Sequence, residues 1–135
     1  MATGWLQGDP ISDYELGVTY VIEFWTSWCP PCKDSLLRLN ALATKYKDQN
    51  LVVVGINVNE TPAVVTDYIN QHKLSENYRV ALDEQGQLYT DWSKLTAQPA
   101  IPLTIVVNRQ GKIIWIGQAT QLTEPLLVQY MQTIL

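Results

Sequence analysis

Apolar and polar positions along this chain fall into two kinds of run, and the boundaries between them predict the elements. Tyr20-Val21-Ile22-Glu23-Phe24-Trp25 is nearly continuous in apolar and aromatic residues, as a strand covered on both faces requires. Over residues 30 to 47, Leu36, Leu39, Ala43 and Tyr46 recur at helical spacing, with Lys33, Asp34, Arg38, Asn40 and Lys45 mostly off that face. Leu51 to Val58 is a second strand dominated by β-branched residues, and two strands joined by a helix of this length imply a parallel pair. Thr61-Pro62 reads as a helix cap and first helical residue, and Val64, Val65, Tyr68 and Ile69 carry that helix to about residue 72. Tyr78 to Leu82 predicts a short strand, Asp83-Glu84-Gln85-Gly86 a turn and Leu88 to Trp92 a short helix. The prolines within Ala97 to Pro102 prevent its continuation.

From Leu103 the pattern changes. Leu103 to Val107 and Ile113 to Ile116 are strands flanking the hairpin turn Asn108-Arg109-Gln110-Gly111. The end of the chain is helical, with Pro125 near the start and Leu127, Tyr130, Met131 and Ile134 on one stripe. Residues 1 to 18 form a lead-in punctuated by glycines and Pro10, in which Trp5-Leu6 reads as a short edge strand. The order βαβαβα followed by ββα predicts an α/β fold, a mixed sheet with helices on both faces.

Composition narrows the function. The 135 residues fit a single domain, 1–135, and 47% hydrophobic content is ample for a core. A formal charge of -4 argues against nucleic acid or an anionic membrane as main partner, and no apolar run approaches the length of a membrane span. Met1 to Leu6 has neither a basic region nor an apolar signal core, which fits a cytoplasmic chain or one from which an export signal has been removed.

The only two cysteines, Cys29 and Cys32, lie in Trp28-Cys29-Pro30-Pro31-Cys32, where the first strand gives way to the first helix. There the first N–H groups of the helix lack partners and the helix dipole is positive, which stabilises a thiolate on Cys29. Pro31 suits the first turn, and the spacing lets Cys32 attack a mixed disulfide formed on Cys29. A disulfide closing so short a loop would stabilise the fold little, and zinc lacks ligands with His72 as the sole histidine. Redox chemistry is the reading that remains, with no metal and no cofactor expected. Glu23 stands in an otherwise apolar strand, so its pKa should rise; a protonated Glu23 could exchange protons with Cys32. Trp28, with Pro30 beside it, is a candidate apolar surface for partners, while Trp5, Trp25, Trp92 and Trp115 read as packing, Lys33 as a solvated helix-face residue and His72 as a surface residue ending its helix.

Val21 to Lys33, followed by Ile101-Pro102-Leu103-Thr104 and the Asn108-to-Lys112 hairpin, resembles thioredoxin. The segment from Asn59 to Gln98 between the two halves makes the chain more similar to the TlpA and ResA kind of thiol–disulfide reductase. The resemblance implies a thioredoxin fold with a family insertion over 59–98, Cys29 as attacking nucleophile, Cys32 as resolving thiol and an acidic proton-transfer residue at Glu23. It further implies a cis peptide at Ile101-Pro102 that turns the Ile101 backbone toward an extended substrate chain. Two departures stand out: many TlpA-like proteins carry a neutral amide in place of Glu23, and the lysine that often accompanies thioredoxin's acid is Gly55 here. Pro99 also departs from the usual approach to the proline turn and bears on the rim of the site.

The function implied is reduction of disulfides in protein partners by a monomer fed by an upstream thiol electron donor, serving electron transport and cell redox homeostasis, in an extracytoplasmic or periplasmic setting, with a cytoplasmic one as the alternative. Two other functions compete. Thr26-Ser27-Trp28-Cys29 fits the Thr-x-x-Cys spacing of a thiol peroxidase, although Ile22 stands where a peroxiredoxin has proline. A non-catalytic metal- or peptide-binding module is the other; copper delivery calls for wider cysteine spacing and a nearer histidine than His72.

Overall fold

A computed structural model describes residues 4–97 and 100–132. The elements are β1 (Gly4–Gln7), β2 (Thr19–Trp25), α1 (Pro30–Lys45), β3 (Leu51–Val58), α2 (Pro62–His72), β4 (Tyr78–Asp83), α3 (Gln87–Thr96), β5 (Leu103–Val107), β6 (Ile113–Gly117) and α4 (Glu124–Gln132), with a 3₁₀ turn at Ala119–Gln121. The strands form one sheet in the order β1-β4-β3-β2-β5-β6. β2, β3 and β4 run parallel, while β1, β5 and β6 each meet their neighbours antiparallel. β2 therefore lies inside the sheet, and every residue of it is buried, which explains its nearly unbroken apolar sequence.

Side-chain alternation along β2 divides the core. Val21 and Trp25 point to a cluster built with Leu36 and Leu39 of α1, Val65, Tyr68 and Ile69 of α2, and Leu127 and Met131 of α4. Tyr20, Ile22 and Phe24 point to the other face, where Leu88, Tyr89 and Trp92 of α3 and Ile11 and Tyr14 of the lead-in cover them. Each fully buried large side chain contributes roughly 1.5–3 kcal/mol, so both faces are substantial sources of stability. Glu23 belongs to the first face, under α1, and the site is assembled there.

The predicted order of strands and helices matches the structure, including the edge strand around Trp5-Leu6 and the cap at Thr61, whose hydroxyl accepts from the Val64 N–H at 3.4 Å. Two expectations need correction. The helix expected over Leu88 to Trp92 spans Gln87–Thr96. Asp83, read as part of a turn, accepts from the N–H groups of Leu88 at 3.1 Å and Tyr89 at 2.8 Å, so it satisfies the free amides of a longer helix. The 3₁₀ turn at Ala119–Gln121 was not foreseen. It is held from α1, where the Arg38 guanidinium donates to the carbonyls of Ala119 at 3.2 Å and Leu122 at 2.5 Å. Ile134 of the predicted final helix and the position of Pro99 at the site rim lie outside the described residues.

Candidate active site

The chain leaves β2 at Trp25, crosses Thr26 to Cys29 in four residues and enters α1 at Pro30. Cys29 takes the cap position with extended backbone dihedrals, and its side chain makes no capping hydrogen bond. Cys29 and Cys32 are joined as a disulfide across a Cα–Cα distance of 5.2 Å. Their exposures differ: Cys29 is 6% exposed and Cys32 is fully buried. Of the two, Cys29 lines a groove open to solvent and is the sulfur that a reactant reaches first.

The amides around Cys29 are fewer than the sequence reading supposed. Pro30 and Pro31 occupy the first two helical positions and carry no N–H, and the Cys32 N–H donates to the Cys29 carbonyl at 3.0 Å. What supports a thiolate is the helix dipole, a weaker influence than an ordinary helix start with free amides supplies.

On the far side of the disulfide, the Ile101-Pro102 peptide is cis, as the resemblance implies. The Cys29 Sγ lies 3.9 Å from the Ile101 carbonyl oxygen. Ile101 is half-buried, Pro102 buried and Pro30 exposed. Trp28 is 73% exposed beside Cys29, whereas Trp25 is fully buried against the Tyr68 ring at a centroid distance of 4.9 Å. A groove of about 480 Å³ opens next to Cys29 between the Ser27–Pro30 loop and α2. His72, expected at the surface and away from the thiols, lines this groove with its ring 4.2 Å from that of Tyr68. Lys33 lines it too, and its exposed side chain fits the solvated role expected of it.

Beneath the disulfide, Glu23 is fully buried and pairs across the sheet with Gly55 on one side and Thr104 on the other. Its Oε2 accepts from the Ser35 hydroxyl and its Oε1 from the Tyr78 hydroxyl at 3.0 Å. Burial pushes the Glu23 carboxyl up to about 7, against the opposing pull of those hydrogen bonds. Burial beside the same carboxylate raises the Tyr78 hydroxyl well above 10, so Tyr78 remains a neutral donor. Gly55 has a steric reason here: a Cβ at that position would overlap the Tyr78 hydroxyl and ring. Where the resemblance led one to look for a lysine, the chain places a tyrosine from β4.

Ser35 follows Cys32 by three residues, so both lie on the buried face of α1, and the Ser35 hydroxyl donates to Glu23. The sequence brought Cys29, Cys32, Glu23 and Pro102 into view. It missed Ser35, whose spacing from Cys32 was a usable signal, and Tyr78, which only the strand register places.

A sheet of this order, with the disulfide at a strand-to-helix junction beside a cis-proline, defines a thioredoxin-like redox domain. The chain belongs to the redoxin family, whose profile matches residues 11–131. Protein FixW of Rhizobium leguminosarum is 33% identical over 90% of this chain and 58% of its own length. Thiol-disulfide oxidoreductase ResA of Bacillus thuringiensis is 26% identical over 84% of this chain and 61% of its own. The chain thus spans about three fifths of the length of these curated relatives. The crystal structure of StoA from Bacillus subtilis superposes with a TM-score of 0.69 at 26% identity, covering 90% of this chain and 92% of that one. Among the described residues no helix is long and apolar enough to cross a membrane.

Proposed function

We propose that this chain is a thiol–disulfide oxidoreductase that reduces disulfides in protein partners through Cys29 and Cys32. The observation that carries the reading is the pair itself: a slightly exposed sulfur lining the groove and a fully buried partner, joined across a strand-to-helix junction. In the reduced protein the Cys29 thiolate attacks a substrate disulfide; a new S–S bond forms to Cys29 and one substrate sulfur leaves as a thiolate that takes up a proton. Cys32 then loses its proton and attacks Cys29, releasing the second substrate thiol and leaving the intramolecular disulfide. Glu23, hydrogen-bonded to Ser35 one helical turn after Cys32, is the acceptor of that proton, since a carboxyl raised to about 7 gains and loses a proton near neutral pH. An upstream thiol donor returns the two electrons. Cys29, Cys32 and Glu23 come from one copy of the chain, so the reaction as written runs in a monomer.

Trp28, Pro30, Ile101 and Pro102 form the partner-binding side, with Trp28 as the exposed aromatic anchor and Ile101 alongside the sulfur. The segment 59–98 is the family insertion, and 1–135 is one thioredoxin-like domain. An extracytoplasmic setting is part of this reading, with a cytoplasmic one as the alternative. The cap supports the reducing direction: a disulfide pair is a strong oxidant when its reduced form is well stabilised, and two prolines remove donors that would stabilise a Cys29 thiolate. Equilibration with glutathione buffers should give a potential below about −200 mV. A value near about −120 mV would make the protein an oxidant instead.

The peroxidase reading has one observation in its favour, the buried Thr26 hydroxyl, which has no hydrogen-bond partner among the described residues. Rapid peroxide turnover by a Cys32→Ser protein would support it.

A further inference from the structure

The loop that presents Cys29 is held by a residue from another part of the chain. Glu60 sits in the turn between β3 and α2, and its Oε1 accepts from the Ser27 N–H at 2.7 Å while its Oε2 accepts from the Ser27 hydroxyl at 2.5 Å. Both polar donors of Ser27 thus go to one carboxylate, two residues before the nucleophile. The Asn57 side-chain amide donates to Oε1 at 2.8 Å and fixes the carboxylate in turn. Asn57 is a firm anchor: it is fully buried at the end of β3 and stands opposite Trp25 in the sheet register. Asn59, in the left-handed region at φ 60, turns the chain back after β3, and its N–H donates to the Asp83 carbonyl at 2.8 Å. Glu60 has no part in starting α2, because Thr61 caps that helix.

The groove beside Cys29 has two walls, the Ser27–Pro30 loop and the α2 face that includes Tyr68 and His72. Glu60 is the first residue before the α2 cap and grips the loop opposite. The geometry points to Glu60 as a positioning residue that ties these walls together and sets where Cys29 stands relative to the groove and the Ile101 carbonyl. This rests on the reading of Cys29 as nucleophile. Charge-assisted hydrogen bonds of this length are among the stronger ones a side chain makes, and a displacement of about 1 Å in a reacting group can cost about a hundredfold in rate.

The test uses the reduced protein in a Cys32→Ser background, following iodoacetamide alkylation of Cys29 at pH 7, together with kcat and KM for a protein disulfide in the parent protein. Glu60→Ala should slow alkylation and lower kcat/KM by about tenfold or more. Glu60→Gln retains an oxygen for the Ser27 N–H and the Asn57 amide, so it should stay within about threefold of the parent. Ser27→Ala removes only the hydroxyl bond and should fall between them. If Glu60→Ala does not fold, Ser27→Ala and Glu60→Gln decide the matter by that ranking. The inference is overturned if Glu60→Ala reacts at the parent rate with only a lower Tm, or if Glu60→Gln is impaired as much as Glu60→Ala. Alkylation reads the placement of Cys29 without turnover, so a parent protein that reduces no disulfide would sink the proposed function while this result still decides the role of Glu60.

Discussion

Cys29→Ser should reduce turnover of insulin disulfides to the uncatalysed rate, a loss of at least about a thousandfold. In transition-state terms that is about 4 kcal/mol or more. The size follows from exposure: Cys32 is fully buried and cannot take over the attack. Cys32→Ser should behave differently. It keeps the attacking sulfur and loses the one that releases the captured partner, so the mixed disulfide should accumulate as a higher-mass band on non-reducing gels that dithiothreitol removes. Undiminished turnover by Cys32→Ser would mean that Cys32 is not the resolving thiol.

The second large effect concerns Glu23 and has a defined pH window. Its folded-state pKa of about 7 lies above the ordinary glutamate value of 4.5, so the folded protein binds the extra proton between those two values. Below pH 4.5 the group is protonated in both states and costs nothing. As pH rises through the window the unfolded chain releases its proton more readily, and stability falls; above about 7 the loss is complete. A shift of this size corresponds to about 3 kcal/mol. Glu23→Gln, neutral at every pH, should therefore gain on the parent protein in urea unfolding as pH goes from 4.5 to 8, by up to about that amount. A stability difference constant over this range would show that Glu23 does not titrate as described. The same substitution should slow resolution by Cys32 by about a hundredfold, because the proton loses its acceptor. Tyr78→Phe tests the network from the other side. It removes a hydrogen bond that favours the charged carboxylate, so the midpoint of the stability change should move to higher pH.

Much of the fold was legible because β2, β3 and β5 are buried on both faces and their sequences show it, while α1 and α2 carry one apolar stripe each. α3 was under-read because it has no buried residue of its own: Leu88, Tyr89 and Trp92 are only half-covered on Phe24, and polar residues dilute the pattern. Its start depends on Asp83, whose carboxylate reaches five and six residues ahead, beyond what a local cap motif reveals. The site divides in the same way. Cys29, Cys32 and Pro30-Pro31 announce themselves because their chemistry is local in sequence. Glu23 is conspicuous as an acid in an apolar strand. Tyr78 and Glu60 are visible only once β4 has been registered against β3 and the turn after β3 has been folded back onto Ser27, and neither event leaves a signature in spacing. Gly55 had been read as a missing lysine, and the structure gives it a positive purpose as the space for the Tyr78 hydroxyl.

The most direct measurement is a titration of Cys29 in the reduced Cys32→Ser protein, following thiolate absorbance or alkylation rate against pH. The account predicts a midpoint below the free-cysteine value of about 8.5, lowered only modestly because two of the first helical amides are replaced by proline. A midpoint at or above that value would contradict it, since the Cys29 sulfur would then gain nothing from its place at the start of α1.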